Sequence, residues 1–263
     1  MEPKQYRLKE LLNPSDERSL FIDTSNGLVL GALPGLGHFS EALNPLLPLL
    51  DGIVTSPGQA RNLGTRTRQE AALLVRADWT NALRGDDFVL PPENIEYLPL
   101  LEVGDALDLG ANALVMHFIL GHEEEIEAQC LKRAVNLALD GLGQGMPLIV
   151  DVQPIGPRVV LLDKAIELGV SYALESGADG IAIPWPGTAS FKTIHAMCGG
   201  LPVWIKLTSL KVETPELGEN LELGAVGFWL DERIFADDDP AATLQAIRTL
   251  VHPPSEVPIG GAP

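Results

Sequence analysis

Eight short apolar segments recur along the chain, and they restrict the possible folds more than any other feature. Each is a near-continuous hydrophobic run without a polar alternation, which is typical of parallel strands covered by helices. Stretches long enough for a helix separate most of them. The eight runs are 20–25, 52–56, 72–78, 113–120, 147–153, 180–185, 202–207 and 225–231.

Helical patterns fill several of the gaps between these runs. The predicted helices are 96–109, 123–139, 160–175 and 239–251. The last begins with Asp239 as a cap and Pro240 in the first helical position, a combination favoured at helix N-termini. Residues 79–94 are predicted to be a long polar loop, of the kind that often covers or lines a binding site.

Three similar sequence segments connect a predicted helix to the following strand: LGANALVM, SGADGIAI and LGAVGFWL. In each, a glycine closes the helix and the strand follows at once. Repeated βα units with right-handed crossovers predict an α/β fold, a single-domain (β/α)₈ TIM barrel, and 263 residues suit one such domain. We assign residues 1–252 to the barrel and the Pro/Gly-rich residues 253–263 to a tail.

The composition argues against several classes of partner. The net charge is −18 and the pI about 4.5, so phosphate backbones and anionic headgroups would be repelled. The N-terminal segment is charged and no apolar run reaches about 18 residues. We therefore expect a cytoplasmic protein that acts on a small molecule, with no nucleic acid and no membrane as partner. Cys130 and Cys198 lack a CxxC spacing and are expected to be reduced, buried thiols.

Several longer sequence segments resemble those of a known protein family, and the resemblance extends from residue 8 to 252. They are NPS (13–15), LGALPGL (30–36), TSPGQAR (55–61), ALVMHFILG (113–121), GMPLIVDVQPIG (145–156) and the segment 226–252. Together they resemble the archaeal-type class I fructose-bisphosphate aldolases, DeoC/LacD-like aldolase barrels that also include an autoinducer-processing thiolase. The resemblance implies the same barrel fold, a lyase activity, no cofactor and homo-oligomerisation.

The same resemblance implies a divergent active site. The family forms a Schiff base on a lysine at the end of the sixth strand, and the iminium then acts as an electron sink. Ala182 falls on that position, Ser25 on the family's first-strand acid and Gln153 on its tyrosine acid. The family's phosphate-binding positions fall on Leu207, Thr208, Asp231 and Glu232. Two acids would repel a phosphate group, so a non-phosphorylated carbonyl substrate is expected.

In a barrel of this type, the functional residues lie at the C-terminal ends of the strands. Residues two apart on a strand share a face, so Asp23 and Ser25 should point inward together, as should Asp151 and Gln153. Buried carboxylates need partners. The available partners are Lys206, Arg76 and His117.

Lys206 lies in an otherwise apolar strand and is the leading candidate for a relocated Schiff-base amine. Alternatively, it forms an ion pair with Asp151 or Asp231, or points outward. We predict Lys206, Asp151 and His117 as catalytic residues, with His117 either a general acid/base or a hydrogen-bonded core histidine. The predicted substrate-binding residues are Asp78, Arg76, Gln153, Ser25, Trp185 and Asp231.

Three functional hypotheses follow. The first is an aldolase-like lyase with Lys206 as its amine. The second is an inactive aldolase homologue that acts as a binding or scaffold subunit. The third is a metal-dependent enzyme with Asp78, His117, Asp151 and Asp231 as ligands. Trp185, Trp204 and Trp229 are interpreted mainly as packing between barrel and helices, and alternatively as an aromatic wall for the substrate.

Overall fold

Eight parallel strands close into a barrel in the computed structural model, which describes residues 3–31, 39–63, 70–207 and 214–254. The predicted (β/α)₈ architecture is confirmed. The barrel strands, in order around the barrel, are β1 (Ser19–Asp23), β2 (Gly52–Thr55), β3 (Ala72–Arg76), β6 (Ala113–Leu120), β7 (Leu148–Pro154), β8 (Gly180–Pro184), β9 (Val203–Leu207) and β10 (Gly227–Leu230). A hairpin of β4 (Asp78–Thr80) and β5 (Tyr97–Pro99) follows the third barrel strand.

Helices cover the outer face of the barrel. They are α1 (Pro3–Lys9), α2 (Gly27–Leu30), α3 (Phe39–Leu43), α4 (Pro57–Asn62), α5 (Val103–Asp108), α6 (Glu124–Gln144), α7 (Leu162–Glu175), α8 (Thr188–Cys198), α9 (Thr214–Glu222) and α10 (Pro240–Val251), with 3₁₀ turns at Leu47–Leu49 and Glu232–Ala236. The predicted cap of the last helix is confirmed, since the Asp239 side chain accepts the amide of Ala242. None of the helices in the described part of the chain is long and apolar enough to cross a bilayer.

The structure corrects the sequence prediction around the third strand. The run 72–78 is two strands, because β3 ends at Arg76 and Asp78 opens the hairpin. The predicted helix 96–109 is wrong in its first half, where β5 pairs antiparallel with β4. The amide of Leu100 then bonds to the carbonyl of Ala77, so helix α5 begins only at Val103. Tertiary pairing has overridden the helical spacing of the apolar residues.

The interior of the barrel is filled by an aromatic layer. Phe21 stacks on Trp204 with ring centroids 5.3 Å apart, and it meets Trp229 edge-on at 5.7 Å. Trp204 donates from Nε1 to Ser19 Oγ at 2.7 Å. A Cβ at Gly180 would come within 2.7 Å of the Trp204 ring, so this glycine leaves the space that the indole occupies.

The preferred interpretation of the tryptophans is therefore wrong for two of them. Trp204 and Trp229 lie inside the barrel, because the inward face of a strand takes every second residue. Trp185 packs outward as expected, with its ring 5.3 Å from that of Phe191 on α8.

A charged clamp holds the last helix at the opposite end of the barrel from the strand C-termini. His252 bonds through Nδ1 to Asp16 Oδ2 at 2.7 Å and through Nε2 to Asp51 Oδ2 at 2.9 Å. Burial alone would lower the pKa of His252, but the two carboxylates outweigh it and raise the pKa above its ordinary value. Asp51 also accepts the amide of Leu20 at the start of β1. The clamp thus ties the end of α10 to the first strand.

Trp204 tests how far the barrel depends on its aromatic layer. Replacing Trp204 with Ala leaves a cavity beside Phe21 and is expected to lower the free energy of unfolding by about 3–5 kcal/mol. The matched variant Trp204→Phe keeps a ring in the layer and loses only the bond to Ser19, so its loss should be smaller. Urea denaturation measures both. A Trp204→Ala variant within about 1 kcal/mol of the wild type would contradict this packing.

Candidate active site

A polar layer lies directly above the aromatic layer, at the C-terminal end of the barrel. Its members are Asp23 on β1, Arg76 on β3, His117 on β6, Asp151 on β7 and Lys206 on β9. Each follows, two residues later, an inward apolar residue of the same strand: Phe21, Leu74, Val115, Ile149 and Trp204. The alternation of the strand therefore places every one of these charged or polar side chains inside the barrel.

Arg76 is a fully buried cation at the centre of this layer. Its Nη2 lies 2.6 Å from Asp23 Oδ2 and 3.2 Å from Asp151 Oδ2, and its Nε donates to Ser25 Oγ at 3.1 Å. Burial alone would lower the pKa of Arg76, but the charges of Asp23 and Asp151 raise it. The guanidinium stays charged and fixes the two carboxylates on either side of it.

Asp23 is saturated with hydrogen bonds. Its Oδ1 accepts from the amide of Ser25 at 2.8 Å and from Ser25 Oγ at 2.6 Å. Its Oδ2 accepts from Trp229 Nε1 at 3.1 Å as well as from Arg76. Asp23 and Ser25 point into the barrel together, as their spacing predicts, and act as a support for Arg76.

Asp151 joins Arg76 to Lys206. Lys206 Nζ donates to Asp151 Oδ1 at 2.7 Å, and Gln153 Nε2 donates to the same oxygen at 3.0 Å. Asp151 is completely buried, and burial alone would raise its pKa. The positive charges of Lys206 and Arg76 outweigh that effect and lower the Asp151 pKa to about 2. Asp151 is therefore a carboxylate at neutral pH, and Lys206 is its ion-pair partner.

His117 lies on the other side of Asp151. The Asp78 carboxylate accepts the His117 amide at 2.7 Å and contacts its Nδ1 at 3.1 Å. The other ring nitrogen, Nε2, is buried 3.9 Å from Asp151 Oδ2 and has no hydrogen-bond partner among the described residues. Asp78 thus fixes the ring so that Nε2 faces Asp151. This geometry suits a group that accepts or supplies a proton.

A cavity of about 160 Å³ opens above Lys206. Among the described residues it is lined by Asp23, Asn26, Leu83, Gln153, Pro184, Lys206, Trp229 and Asp231. The Lys206 side chain is 17% exposed, whereas Asp151 behind it is inaccessible. Of the alternatives open for Lys206, the structure shows an inward side chain paired with Asp151, not with Asp231.

The predicted site residues separate into three groups. Lys206, Gln153 and Asp231 line the cavity. Behind it lie Asp151, Arg76, His117, Ser25 and Asp78. Trp185 is apart from the cavity, against Phe191.

Sequence reasoning did not assign Leu83 to the site, and it considered Trp229 only as part of the alternative aromatic wall. The spacing of Trp229 from the inward Asp231 could have placed it there. No sequence signal marks Leu83, which lies in the predicted loop 79–94.

Asp231 and Glu232 occupy the entrance to the 3₁₀ turn after β10. Asp231 Oδ1 accepts the amide of Arg233 at 3.1 Å, and its carboxylate pairs with the Arg233 guanidinium. Glu232 is buried and accepts from Asn26 Nδ2 at 2.7 Å, and burial raises its pKa. The backbone amide of Arg233, which could otherwise donate to a phosphate oxygen, thus already donates to the Asp231 carboxylate.

The ligand set of the metal hypothesis does not assemble in the part of the chain that the structure describes. Asp78 contacts His117, but Asp231 is directed to Arg233. Within the described ranges, no group of three or more His, Cys, Asp or Glu side chains could hold a metal ion. The prediction that Asp78, His117, Asp151 and Asp231 converge is wrong.

Comparisons with known proteins support the aldolase-barrel resemblance. No family model matches the chain. A 3-hydroxy-5-phosphonooxypentane-2,4-dione thiolase of Photorhabdus laumondii is 27% identical over 255 residues, which cover 94% of this chain and 82% of that protein. An uncharacterized aldolase of Pasteurella multocida is 26% identical with the same coverage.

Solved structures agree with the fold. An archaeal fructose 1,6-bisphosphate aldolase superposes with a TM-score of 0.75 at 20% identity, covering 94% of this chain and 98% of that one. Another archaeal fructose-1,6-bisphosphate aldolase, captured with its catalytic lysine covalently bound to a carbinolamine intermediate, gives 0.75 at 19% identity and covers 94% and 99%. The resemblance drawn from the sequence phrases is confirmed at the level of the barrel.

The free energy of unfolding at acid pH is expected to depend on the ionisation of Asp151 in the polar layer. Its pKa is lower in the folded chain than in the unfolded chain, so this contribution is complete above about pH 4 and is lost as the pH falls toward 2. The loss is about 2 kcal/mol in the free energy of unfolding. The Asp151→Asn variant should lack this acid-dependent component and be about 3–5 kcal/mol less stable at neutral pH.

Urea denaturation at a series of pH values tests this prediction. Asp140→Asn, at an exposed position on α6, is the matched control and should behave as the wild type. An Asp151→Asn variant with the wild-type acid profile would show that Asp151 is not the stabilised carboxylate.

Proposed function

We propose that the chain is an aldolase-type lyase that forms or cleaves a carbon–carbon bond beside the carbonyl group of a small compound, with Lys206 as the amine. The proposal rests on the position of the Lys206 amine, which lies at the mouth cavity and 2.7 Å from the Asp151 carboxylate that links it to His117. The lyase relatives and the barrel fold agree with this reaction class.

The position of Lys206 fits a relocated amine. The resemblance places the family's lysine at Ala182 on β8. Ala182 pairs with Trp204 and Pro184 pairs with Lys206 on the adjacent strand β9. Lys206 therefore lies two residues closer than Ala182 to the C-terminal end of the barrel, on the neighbouring strand. Its flexible four-carbon side chain brings the amine to the cavity at that end.

The proposed reaction needs the amine in its neutral form, and the buried layer supplies a route for the proton. Lys206 gives one proton, relayed by the Asp151 carboxylate, to His117 Nε2, and the neutral amine attacks the substrate carbonyl carbon to form a carbinolamine. The proton returns to the carbinolamine oxygen, which leaves as water, and an iminium remains. When the carbon–carbon bond breaks, the fragment that carries the β-hydroxyl group leaves as an aldehyde and gives its hydroxyl proton to the same Asp151–His117 relay, while the iminium accepts the electron pair and becomes an enamine. That proton then returns to the enamine carbon, and water hydrolyses the resulting iminium to release the second product and the Lys206 amine. Since the Asp151 pKa is low, we assign the temporary storage of the proton to His117 Nε2, which lies 3.9 Å from Asp151 Oδ2.

The substrate is proposed to be small and non-phosphorylated. Asp231 caps the turn where a phosphate could have bound, and Glu232 lies next to it. The cavity of about 160 Å³ is smaller than pockets for drug-sized ligands, which are about 300–1,000 Å³. The thiolase relative acts, by its name, on a phosphonooxy dione, so this chain would differ from it in substrate. Self-association stays a prediction from the resemblance.

A binding or scaffold subunit is the second candidate. It is favoured by the balance of charge in the buried layer, where Arg76 and Lys206 are matched by Asp23 and Asp151. Because these four charges neutralise one another, the layer stabilises the barrel without any substrate. This candidate predicts no covalent adduct and no turnover.

Borohydride trapping separates the two candidates. The protein is incubated with dihydroxyacetone, glycolaldehyde or pyruvate, reduced, and mapped by peptide mass spectrometry. The proposal predicts a reduced adduct at Lys206, because its amine lies at the cavity where the substrate carbonyl would bind.

Lys206→Arg keeps the charge and the contact with Asp151 but cannot form the adduct, so the signal should disappear. Lys192→Arg, at an exposed position on α8, is the control and should retain it. Labelling that is no stronger at Lys206 than at the exposed lysines would overturn the proposal in favour of the scaffold subunit.

A further inference from the structure

Leu83 is the one cavity-lining residue, among those the structure describes, that comes from the hairpin inserted after β3. The other lining residues lie on barrel strands or in the few residues after them. Leu83 thus reaches the mouth from outside the barrel. Together with Pro184 and Trp229 it forms the apolar part of the lining, whose other members are the polar or charged residues Asp23, Asn26, Gln153, Lys206 and Asp231.

The segment that carries Leu83 is fixed at its base. Asn81 is buried, donates from Nδ2 to the carbonyl of Asn94 at 2.8 Å and accepts the amide of Glu96 at 2.7 Å. Thr80 Oγ1 accepts the amide of Ala82 at 3.0 Å. These bonds join the two ends of the long connection, so Leu83 follows directly after a closed base.

The same segment is also fixed to helix α2, which follows β1. Trp79 Nε1 donates to the carbonyl of Leu28 at 2.8 Å, and Arg84 Nε donates to the carbonyl of Val29 at 2.9 Å. The Arg84 guanidinium lies over the Trp79 ring at 5.5 Å and over the Phe88 ring at 5.0 Å. A cation between two aromatic rings is held in place by both. Leu83, next to Arg84, is therefore a fixed wall.

We propose that Leu83 determines substrate specificity by limiting the length of the carbonyl compound that can reach Lys206. The substrate class is a short aldehyde or ketone whose end away from the reacting carbonyl is apolar. This inference rests on the proposed function, because it assumes that the carbonyl group reacts at Lys206. Leu83 is half-buried, and a fixed apolar side chain beside the cavity discriminates because each additional methylene of the substrate must fit against it.

The test uses a series of ketones: acetone, 2-butanone, 2-pentanone and 2-hexanone. Each is trapped on the full chain with borohydride, and the yield at Lys206 is measured. In the wild type, the yield is expected to fall at least about tenfold across the series. Leu83→Ala should raise the ratio of 2-hexanone yield to acetone yield about tenfold, and Leu83→Val should raise this ratio by a smaller factor.

Val89→Ala is the matched control, because Val89 is on the same connection but is 83% exposed. It should behave as the wild type. An identical length dependence in the wild type and Leu83→Ala would overturn the role of Leu83.

A second readout keeps the role of Leu83 testable if no ketone is trapped in any protein, an outcome that would end the proposed function alone. Acetic anhydride and trinitrobenzenesulfonate acylate or arylate any accessible neutral amine without catalysis. Leu83→Ala should raise the ratio of bulky to small label at Lys206 severalfold, with no change at the exposed Lys164. An unchanged ratio at Lys206 would show that Leu83 does not restrict access.

Discussion

The buried guanidinium of Arg76 is the group on which the upper half of the barrel depends. A cation in the interior is tolerated only when anions surround it and its donors are satisfied. Asp23 and Asp151 supply the anions, and Ser25 accepts the remaining contact. Asp151 is then held where its second oxygen can bind Lys206. Strand alternation turns Lys206 inward, and the network that compensates Arg76 then holds its amine at Asp151.

This network divides the barrel interior into a packed lower part and an upper part that faces the cavity. Below it, Phe21, Trp204 and Trp229 fill the interior and leave no room for a ligand. Above it, Lys206 and seven other described residues line the cavity. Because inward residues on a strand are two apart, a step of two residues along each strand leads from the aromatic layer to the polar layer. Trp229 belongs to both layers, since its ring packs on Phe21 and its Nε1 supports Asp23.

Much of the fold could be predicted from the sequence because it depends on local repetition. The apolar runs gave the eight barrel strands, and the spacing of Asp23 and Asp151 placed both inside. The hairpin could not be predicted in this way, because Tyr97–Pro99 form a strand only through pairing with Asp78–Thr80, about twenty residues earlier. The ion pair between Lys206 and Asp151 was one of several alternatives, since sequence gives the face of a side chain but not its distance from another strand. Leu83 was missed for the same reason, because nothing local records where a long connection folds back.

If Lys206 is the reacting amine, it must leave Asp151 to bond with a carbonyl carbon. A crystal structure of the protein reduced with borohydride in the presence of dihydroxyacetone would show this bond. We expect continuous electron density from Lys206 Nζ to a substrate carbon in the mouth cavity, with Arg76 still bound to Asp23 and Asp151. Unmodified Lys206, still in its ion pair with Asp151 while other lysines carry the label, would contradict it.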